Sequence, residues 1–383
     1  RLTLYYQLEQ ICGRKVVVLY NVVNGVMFCF LAGAMITVSA TALGVWLQFP
    51  MPGLNDTLPN SVGWVLAVLF IGAVIALVAA AGYTRVARVA NYAAPWMVLV
   101  FLAFGLIGLK DFLLETGSTA RSAGEVWELA KTAIWRGGEP LPGQIKFTFW
   151  HVLFFAWFCN MAMHIGMSDL SVFRFARKSW YGVATATGMY LGHFLAWIAA
   201  SILYALQLYR DPAATDVLPG PLAFQACGLT GLICVVIAGW TTANPTIYRA
   251  GLAFQAVIPR VSRFKVTLAT GMLAACAGMF PAIAMKLLGF VALYGLALMP
   301  MGAVIFCDFW LMKRLGLQSA YAANRGLAVN WAPLISWLAT LAVCLWSVQQ
   351  GYIGIFFASL PGWFIASALY LGASKLLQKP LAA

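Results

Sequence analysis

Two stretches of this sequence carry side chains whose type and spacing could do chemistry inside apolar surroundings. The first runs Trp157-Phe158-Cys-Asn160-Met-Ala-Met-His164-Ile-Gly166-Met-Ser168-Asp169. A polar group at membrane depth is costly unless it lines a cavity, and a glycine among such groups can interrupt a helix and free its backbone. The segment reads as a discontinuous helix, the kind that presents dipoles and side chains to a ligand near a bilayer midplane. Trp157 and Phe158 supply flat faces for a planar ligand, and Asn160 supplies a donor and an acceptor. His164 is either a substrate contact, a proton carrier or an interhelical hydrogen-bonding residue.

The second stretch is Ala238-Gly-Trp240-Thr241-Thr242-Ala-Asn244-Pro245-Thr246. Pro245 has no N–H and should release a carbonyl about one turn earlier, while Thr241 and Thr242 offer hard oxygens of the sort Na+ accepts. The Ala238 carbonyl shares their helix face, so Ala238, Thr241 and Thr242 form a candidate sodium-ligand set. The alternative is that the threonine hydroxyls bond back to carbonyls one turn earlier. His151 and His193 read as packing or interfacial residues. Asp169 and Asp308 stand at helix ends near basic residues, where pairing with Arg or Lys competes with a gating role. The 8 cysteines are scattered through apolar runs with no C-x-x-C, and read as small buried hydrophobes. The apolar runs offer no paired carboxylates, metal-ligand set or positioned nucleophile beyond His164 with Asp169. No enzymatic activity is expected, and no cofactor other than a bound Na+.

The elements that must position these residues follow from composition. Of 383 residues, 63% are hydrophobic and only 9% charged, which excludes an ordinary soluble enzyme and a disordered chain. Spanning a bilayer takes about 20 apolar helical residues. Charge-free runs occupy 16–55, 57–84, 89–109, 147–168, 179–209, 217–248, 266–285, 287–307 and 326–374, and Gln349-Gln350-Gly351 divides the last into two helices. The expected fold is therefore an all-α polytopic membrane protein of about ten transmembrane helices in one domain, with a tight hairpin near Pro281.

With residues 1–15 placed in the cytoplasm, alternation puts 17 of the 24 Lys+Arg on that side, the bias expected of a multi-pass protein of the plasma (inner) membrane. Eight of the 11 acids fall outside, so the net charge of +13 reflects orientation rather than a nucleic-acid surface. In the external loop 111–146, Ser122 and Glu125 form a capping-box pattern ahead of Val126, Leu129, Ala130, Ala133 and Ile134 at helical spacing. This predicts a short amphipathic helix on the outer surface.

These residues carry a family resemblance. Trp240-Thr-Thr through Tyr248-Arg-Ala-Gly-Leu resembles a segment of cytosine permeases, members of the nucleobase:cation symporter-1 (purine/cytosine permease) family. Asp169-Leu-Ser through Arg174-Phe-Ala-Arg177 is similar to that family's signature after its sixth helix. Pro300-Met-Gly through Cys307-Asp308-Phe-Trp-Leu311 resembles its tenth-helix ending, and Gly82 through Ala94-Pro95 fits its fifth-helix region. The resemblance implies a LeuT-type fold of two inverted five-helix repeats plus two additional helices. On that mapping the ten spans are helices three to twelve: 16–109 is the rest of the first repeat, 147–311 the second, and 326–374 the additional pair. The chain is then expected to lack the family's first two helices.

The resemblance further implies that Ala238, Thr241 and Thr242 are the eighth-helix part of a sodium site. Trp157, Phe158 and Asn160 would lie in the sixth-helix substrate stretch. Two departures stand out: Asp169 and Arg174 are five residues apart where the family has three, and Met35, in Ala34-Met35-Ile36-Thr37-Val38-Ser39, replaces the third-helix aromatic that stacks on the base. The function so implied is cation-coupled (Na+ or H+) import of a small planar nitrogenous solute by alternating access. The solute would lie between Trp157–His164, Met35–Ser39 and Asn244. Proton coupling through His164 or Asp169, and a membrane-embedded enzyme, are the competing readings.

Overall fold

The computed structural model describes residues 3–53, 55–135, 145–155, 166–215 and 217–378. Among these, all regular structure is helical, and eight helices are long and apolar enough to cross a membrane. The chain opens with a short helix α1 (Leu4–Cys12), capped where the Thr3 hydroxyl accepts from the Tyr6 N–H. Gly13, at φ 83°, then turns the chain into α2 (Arg14–Leu47). A Cβ at Gly13 would stand 2.6 Å from the Leu327 carbonyl oxygen, so both the dihedral and the space call for glycine here.

Helix α3 (Val62–Ala80) starts at the Ser61 cap, and Gly82 separates it from α4 (Tyr83–Thr116). The expected surface helix is α5 (Ala123–Leu129), continued by one wider turn over Ala130–Ile134. The Ser122 half of its capping box forms, the hydroxyl accepting from the Glu125 N–H at 3.2 Å, while the Glu125 carboxylate reaches one residue further back and accepts from the Arg121 N–H at 2.6 Å. No side chain of the seven-residue α5 is buried. Beyond it lie α6 (Phe149–Phe154), α7 (Leu170–Phe173), α8 (Tyr181–Arg210), α9 (Pro219–Val257), α10 (Arg263–Gly278), α11 (Leu287–Trp310), α12 (Trp331–Gln349) and α13 (Ile355–Leu377). The polar turn predicted at Gln349–Gly351 separates α12 from α13. The Pro281 hairpin between α10 and α11 contains a single helical turn, Ala282–Met285.

The core of the assembly is a four-helix contact in which α2 and α3 face α9 and α10, with α2 against α9 the most extensive pairing. Lipid gives no hydrophobic drive for helices to associate, so close approach rests on small residues and interhelical hydrogen bonds. The backbone of Gly33 in α2 meets that of Ala274 and Gly278 in α10, close enough for the Thr37 hydroxyl to donate to the Gly278 carbonyl at 2.6 Å. Gly72 of α3 abuts Ala275, Gly271 of α10 abuts Ala76, and the Trp64 indole donates to the Met279 carbonyl at 3.1 Å. Helices α4 and α8 pair with each other at the flank and keep most of their apolar surface outward. Near their outer ends Arg210 is paired with Glu115, and the Tyr209 hydroxyl donates to the Glu115 carbonyl.

Candidate functional site

The polar residues singled out in the second stretch lie at mid-height of α9, a 39-residue helix with two irregularities. Non-helical angles at Cys227 and Gly228 kink it near its N-terminal end, and Pro245 interrupts its hydrogen-bond ladder nearer the C-terminal end. Between them, Gly239 lets α2 approach so closely that a Cβ there would collide with the Ser39 hydroxyl and the Met35 carbonyl. Ser39 is fully buried, and its hydroxyl lies 3.2 Å from the Val236 carbonyl and 3.3 Å from that of Met35. Met35 and Ser39 thus form a seam between α2 and the centre of α9, with the serine hydroxyl directed at backbone.

The candidate sodium ligands occupy the next turn. The Thr241 hydroxyl donates to the Ala238 carbonyl one turn earlier at 3.1 Å and lies 3.2 Å from the Met97 sulfur of α4. Thr242, one residue on, is rotated to an exposed face, and its carbonyl accepts from the Thr246 hydroxyl at 2.6 Å. Back-bonding to a carbonyl one turn earlier, the alternative weighed for the threonines, is what Thr241 does toward Ala238, as Thr246 does toward Thr242.

Beside Thr241 a cavity of about 240 Å³ opens between α4, α7 and α9. Its walls are mostly apolar (Val86, Ala90, Val172, Pro245), and Thr241, Asn244 and Tyr248 run down one side at helical spacing. Asn244 is 1% exposed, and neither its Oδ1 nor its Nδ2 has a hydrogen-bond partner among the described residues. Such an amide is expensive to bury, which marks it as a group awaiting a ligand or water.

Side chains cluster beside Tyr83 and Tyr248, at one end of the cavity. Tyr83 stacks on Phe175 with centroids 4.2 Å apart, and the Arg174 guanidinium lies over the Phe175 ring and donates to the Tyr248 hydroxyl at 3.1 Å. One residue along α9, Arg249 forms a buried ion pair with Asp169, at the start of α7. The Tyr5 hydroxyl donates to the Arg249 carbonyl at 3.0 Å and accepts from Asn24 at 3.2 Å, while Tyr294 donates to the Asn24 carbonyl at 2.9 Å. Burial pushes the Tyr5 phenol well above its ordinary range, so it stays neutral and free to donate. This network ties α1, α2, α7, α9 and α11 together.

Asp169 therefore pairs with a basic residue, but with Arg249 rather than with its sequence neighbours Arg174, Arg177 or Lys178. Asp308 departs from the expectation of a basic partner. It accepts from the Tyr370 hydroxyl at 2.8 Å and from the Ala320 N–H at 3.1 Å, and no Lys or Arg among the described residues lies within ion-pair distance. Its helix end is covered by α13 and by the 311–320 connection, which bring only uncharged donors. His151 caps α6 by accepting from the Thr148 N–H at 3.2 Å and packs on Phe357, while His193 sits against Phe155 and Trp197. Trp157, Phe158, Asn160 and His164 lie outside the described residues, while Gly166, where the helix break was expected, opens a turn over 166–169 with Met167 at φ 56°, ahead of α7. Sequence reasoning passed over Tyr5, Asn24, Tyr83 and Tyr294. Asn24, a polar residue inside an apolar run, carried a legible signal, whereas tyrosines are common at any helix end.

The chain matches no protein-family model and no curated protein. Among solved structures it superposes on a Na+-coupled sialic acid symporter, described as substrate-bound, outward-open and revealing a novel Na+ site. The TM-score is 0.63 at 14% sequence identity, over 98% of this chain and 77% of the symporter chain. At that identity the likeness establishes the fold, which is all-α, polytopic and of the LeuT type.

Proposed function

We propose that this protein is a secondary active transporter that couples cation entry to import of a nucleobase or related small nitrogenous heterocycle by alternating access. The observation that carries the reading is the pairing of the Ala238 carbonyl with the Thr241 hydroxyl at mid-height of α9, beside a cavity: two oxygens one turn apart that an ion would take over from their mutual hydrogen bond. Their chemistry suits Na+, and the shared fold with a Na+-coupled symporter supports the same ion, with Thr242 completing the set from the adjacent face. Proton coupling is the alternative; the pairing of Asp169 with Arg249 disfavours that carboxylate as a proton carrier.

The solute class rests on the resemblance to the nucleobase:cation symporter-1 family. Trp157 and Phe158 would stack on a planar ring, and Asn160 and His164 would bond its edge. Met35 would form the opposite wall, with Ser39 behind it in the α2–α9 seam, and Asn244 would be a further polar group the solute meets. The protein acts in this reading as a multi-pass component of the inner (plasma) membrane. A ligand shifts inward and outward states only through differential affinity, so an ion held mainly in one state is the natural coupling device.

The test is uptake of radiolabelled nucleobases into proteoliposomes with and without a Na+ gradient. Uptake by the wild type should rise with external Na+, and the double substitution Thr241→Ala, Thr242→Ala should abolish that dependence. Unaltered Na+ dependence in the double variant would remove these threonines from the ion site. Failure of every nucleobase to compete would remove the substrate assignment.

A further inference from the structure

One face of α4 carries its side chains in a telling order. Arg85, Arg88, Tyr92, Trp96 and Leu99 follow one another at intervals of three or four residues, so they share that face, and all five are exposed. Val86, Ala87 and Ala90 turn the other way, into the cavity wall. The outward stripe therefore runs from two guanidiniums through two amphipathic rings to a leucine. We propose that it is the binding site of an anionic phospholipid, whose phosphate the arginines hold and whose acyl chain lies along the helix past Leu99.

The spacing fits one leaflet. At about 1.5 Å per helical residue, Tyr92 stands roughly 6 Å and Leu99 roughly 16 Å along the axis from Arg88, against a half-thickness of about 15 Å for the hydrocarbon. Tyr and Trp belong at the headgroup boundary, which is where this order puts Tyr92 and Trp96.

The turn that opens α4 adds a third guanidinium from α10. Gly82 has φ 101°, and a Cβ there would stand 2.7 Å from both terminal nitrogens of Arg263, so this arginine lies against bare backbone three residues before Arg85. The stacking of Tyr83 on Phe175 brings the connection between α7 and α8 to the same end, with Arg177 and Lys178 exposed on it. None of Arg85, Arg88, Arg177, Lys178 and Arg263 forms an ion pair with a described residue, and the first turns of α4, α8 and α10 hold no acid. The opposite end of α4 is balanced instead, with Asp111 beside Lys110 and Glu115 paired with Arg210.

Five uncompensated cations at one end of the bundle call for an anion, and guanidiniums suit a phosphodiester because their forked donors match its oxygens. A zwitterionic lipid would bring an ammonium for which this end offers no carboxylate. A soluble polyanion would leave the aromatic and leucine part of the stripe unused. Lipid held here calls on none of the residues assigned to the ion or the solute, and it would tether the helix whose inner face walls the cavity.

The experiment is native mass spectrometry of the full chain in detergent, titrated with dioleoylphosphatidylglycerol or dioleoylphosphatidylcholine. The wild type should bind the anionic lipid at least about fivefold more tightly than the zwitterionic one. Arg85→Gln with Arg88→Gln, both exposed, should weaken the anionic lipid by at least about tenfold, at about fivefold per basic residue near a membrane surface, and leave the zwitterionic one within about twofold. If the double variant does not purify, Arg88→Gln alone should cost about fivefold. Lys110→Gln, at the far end of α4, should cost nothing. A wild type without the preference, a preference that survives loss of both arginines, or an equal loss in Lys110→Gln would overturn the site. Displacement of the bound lipid by equimolar glycerol phosphate would make it a site for soluble phosphate and overturn the lipid assignment.

Discussion

Two buried asparagines show how differently this molecule treats the same side chain. Asn24, on α2, is fully buried and both ends of its amide are bonded, the nitrogen donating to Tyr5 and the oxygen accepting from Tyr294. Asn244, on α9, is as deeply buried, and neither end is bonded to any described residue. The first belongs to a network that holds five helices together beside the Asp169–Arg249 pair. The second faces a cavity. A satisfied buried polar network rigidifies a particular arrangement, whereas an unsatisfied group is a standing cost that makes sense only where something else is to bind.

Substitutions can break or sharpen that contrast, and the largest effect belongs to the network. Asp169→Ala leaves the Arg249 guanidinium buried without this carboxylate and should destabilise the protein by about 3–5 kcal/mol. A sharp drop in the thermal midpoint of the detergent-solubilised protein, followed by size-exclusion, would register it. Pairing Asp169→Leu with Arg249→Met should recover much of the loss, because removing both charges leaves neither stranded. Next in size, Asn24→Leu strands the Tyr294 hydroxyl and removes the donor to Tyr5, and should lower stability by about 1–3 kcal/mol in the same assay.

Asn244→Leu should go the other way. Deleting a buried amide that bonds no described residue is expected to raise stability by about 1 kcal/mol. A destabilised Asn244→Leu variant would mean the two asparagines are alike after all. The smallest effect is expected at the outer surface, where Glu115→Gln removes a solvent-accessible partner of Arg210. Exposed ion pairs contribute little and are screened by salt, so the midpoint should not move measurably at physiological ionic strength.

How far the sequence reached can be judged residue by residue. Helix positions were legible because twenty-residue apolar runs have few other outcomes. Even so, α4 extends beyond both ends of its charge-free run, since Arg85, Arg88, Lys110 and Glu115 are good helix formers at membrane edges. The capping box at Ser122 was legible because it is a local pattern of four residues. That Ala238 and Thr241 share a helix face was legible too, because one helical turn fixes it. What one turn does not fix is the direction a face looks, and Thr242 turned outward although it adjoins Thr241. The partners of Asp169 and Asp308 were beyond local reasoning. Nearby arginines made pairing with them an economical guess for Asp169, but the chain brought in Arg249, 80 residues away. For Asp308 it brought a tyrosine, 62 residues away.

The sequence by itself determined that this chain is built of helices apolar enough to cross a bilayer and where most of those helices run. Those conclusions follow from composition and from periods of a few residues, which any segment carries within itself. Only the tertiary structure decided which buried polar groups are satisfied and which are left open. That depends on contacts between residues tens to hundreds of positions apart, set by how closely Gly33, Gly72, Gly239 and Gly271 let the helices approach. Asn24 and Asn244 are indistinguishable as letters in apolar runs; packing alone made one a fastener and the other an open ligand.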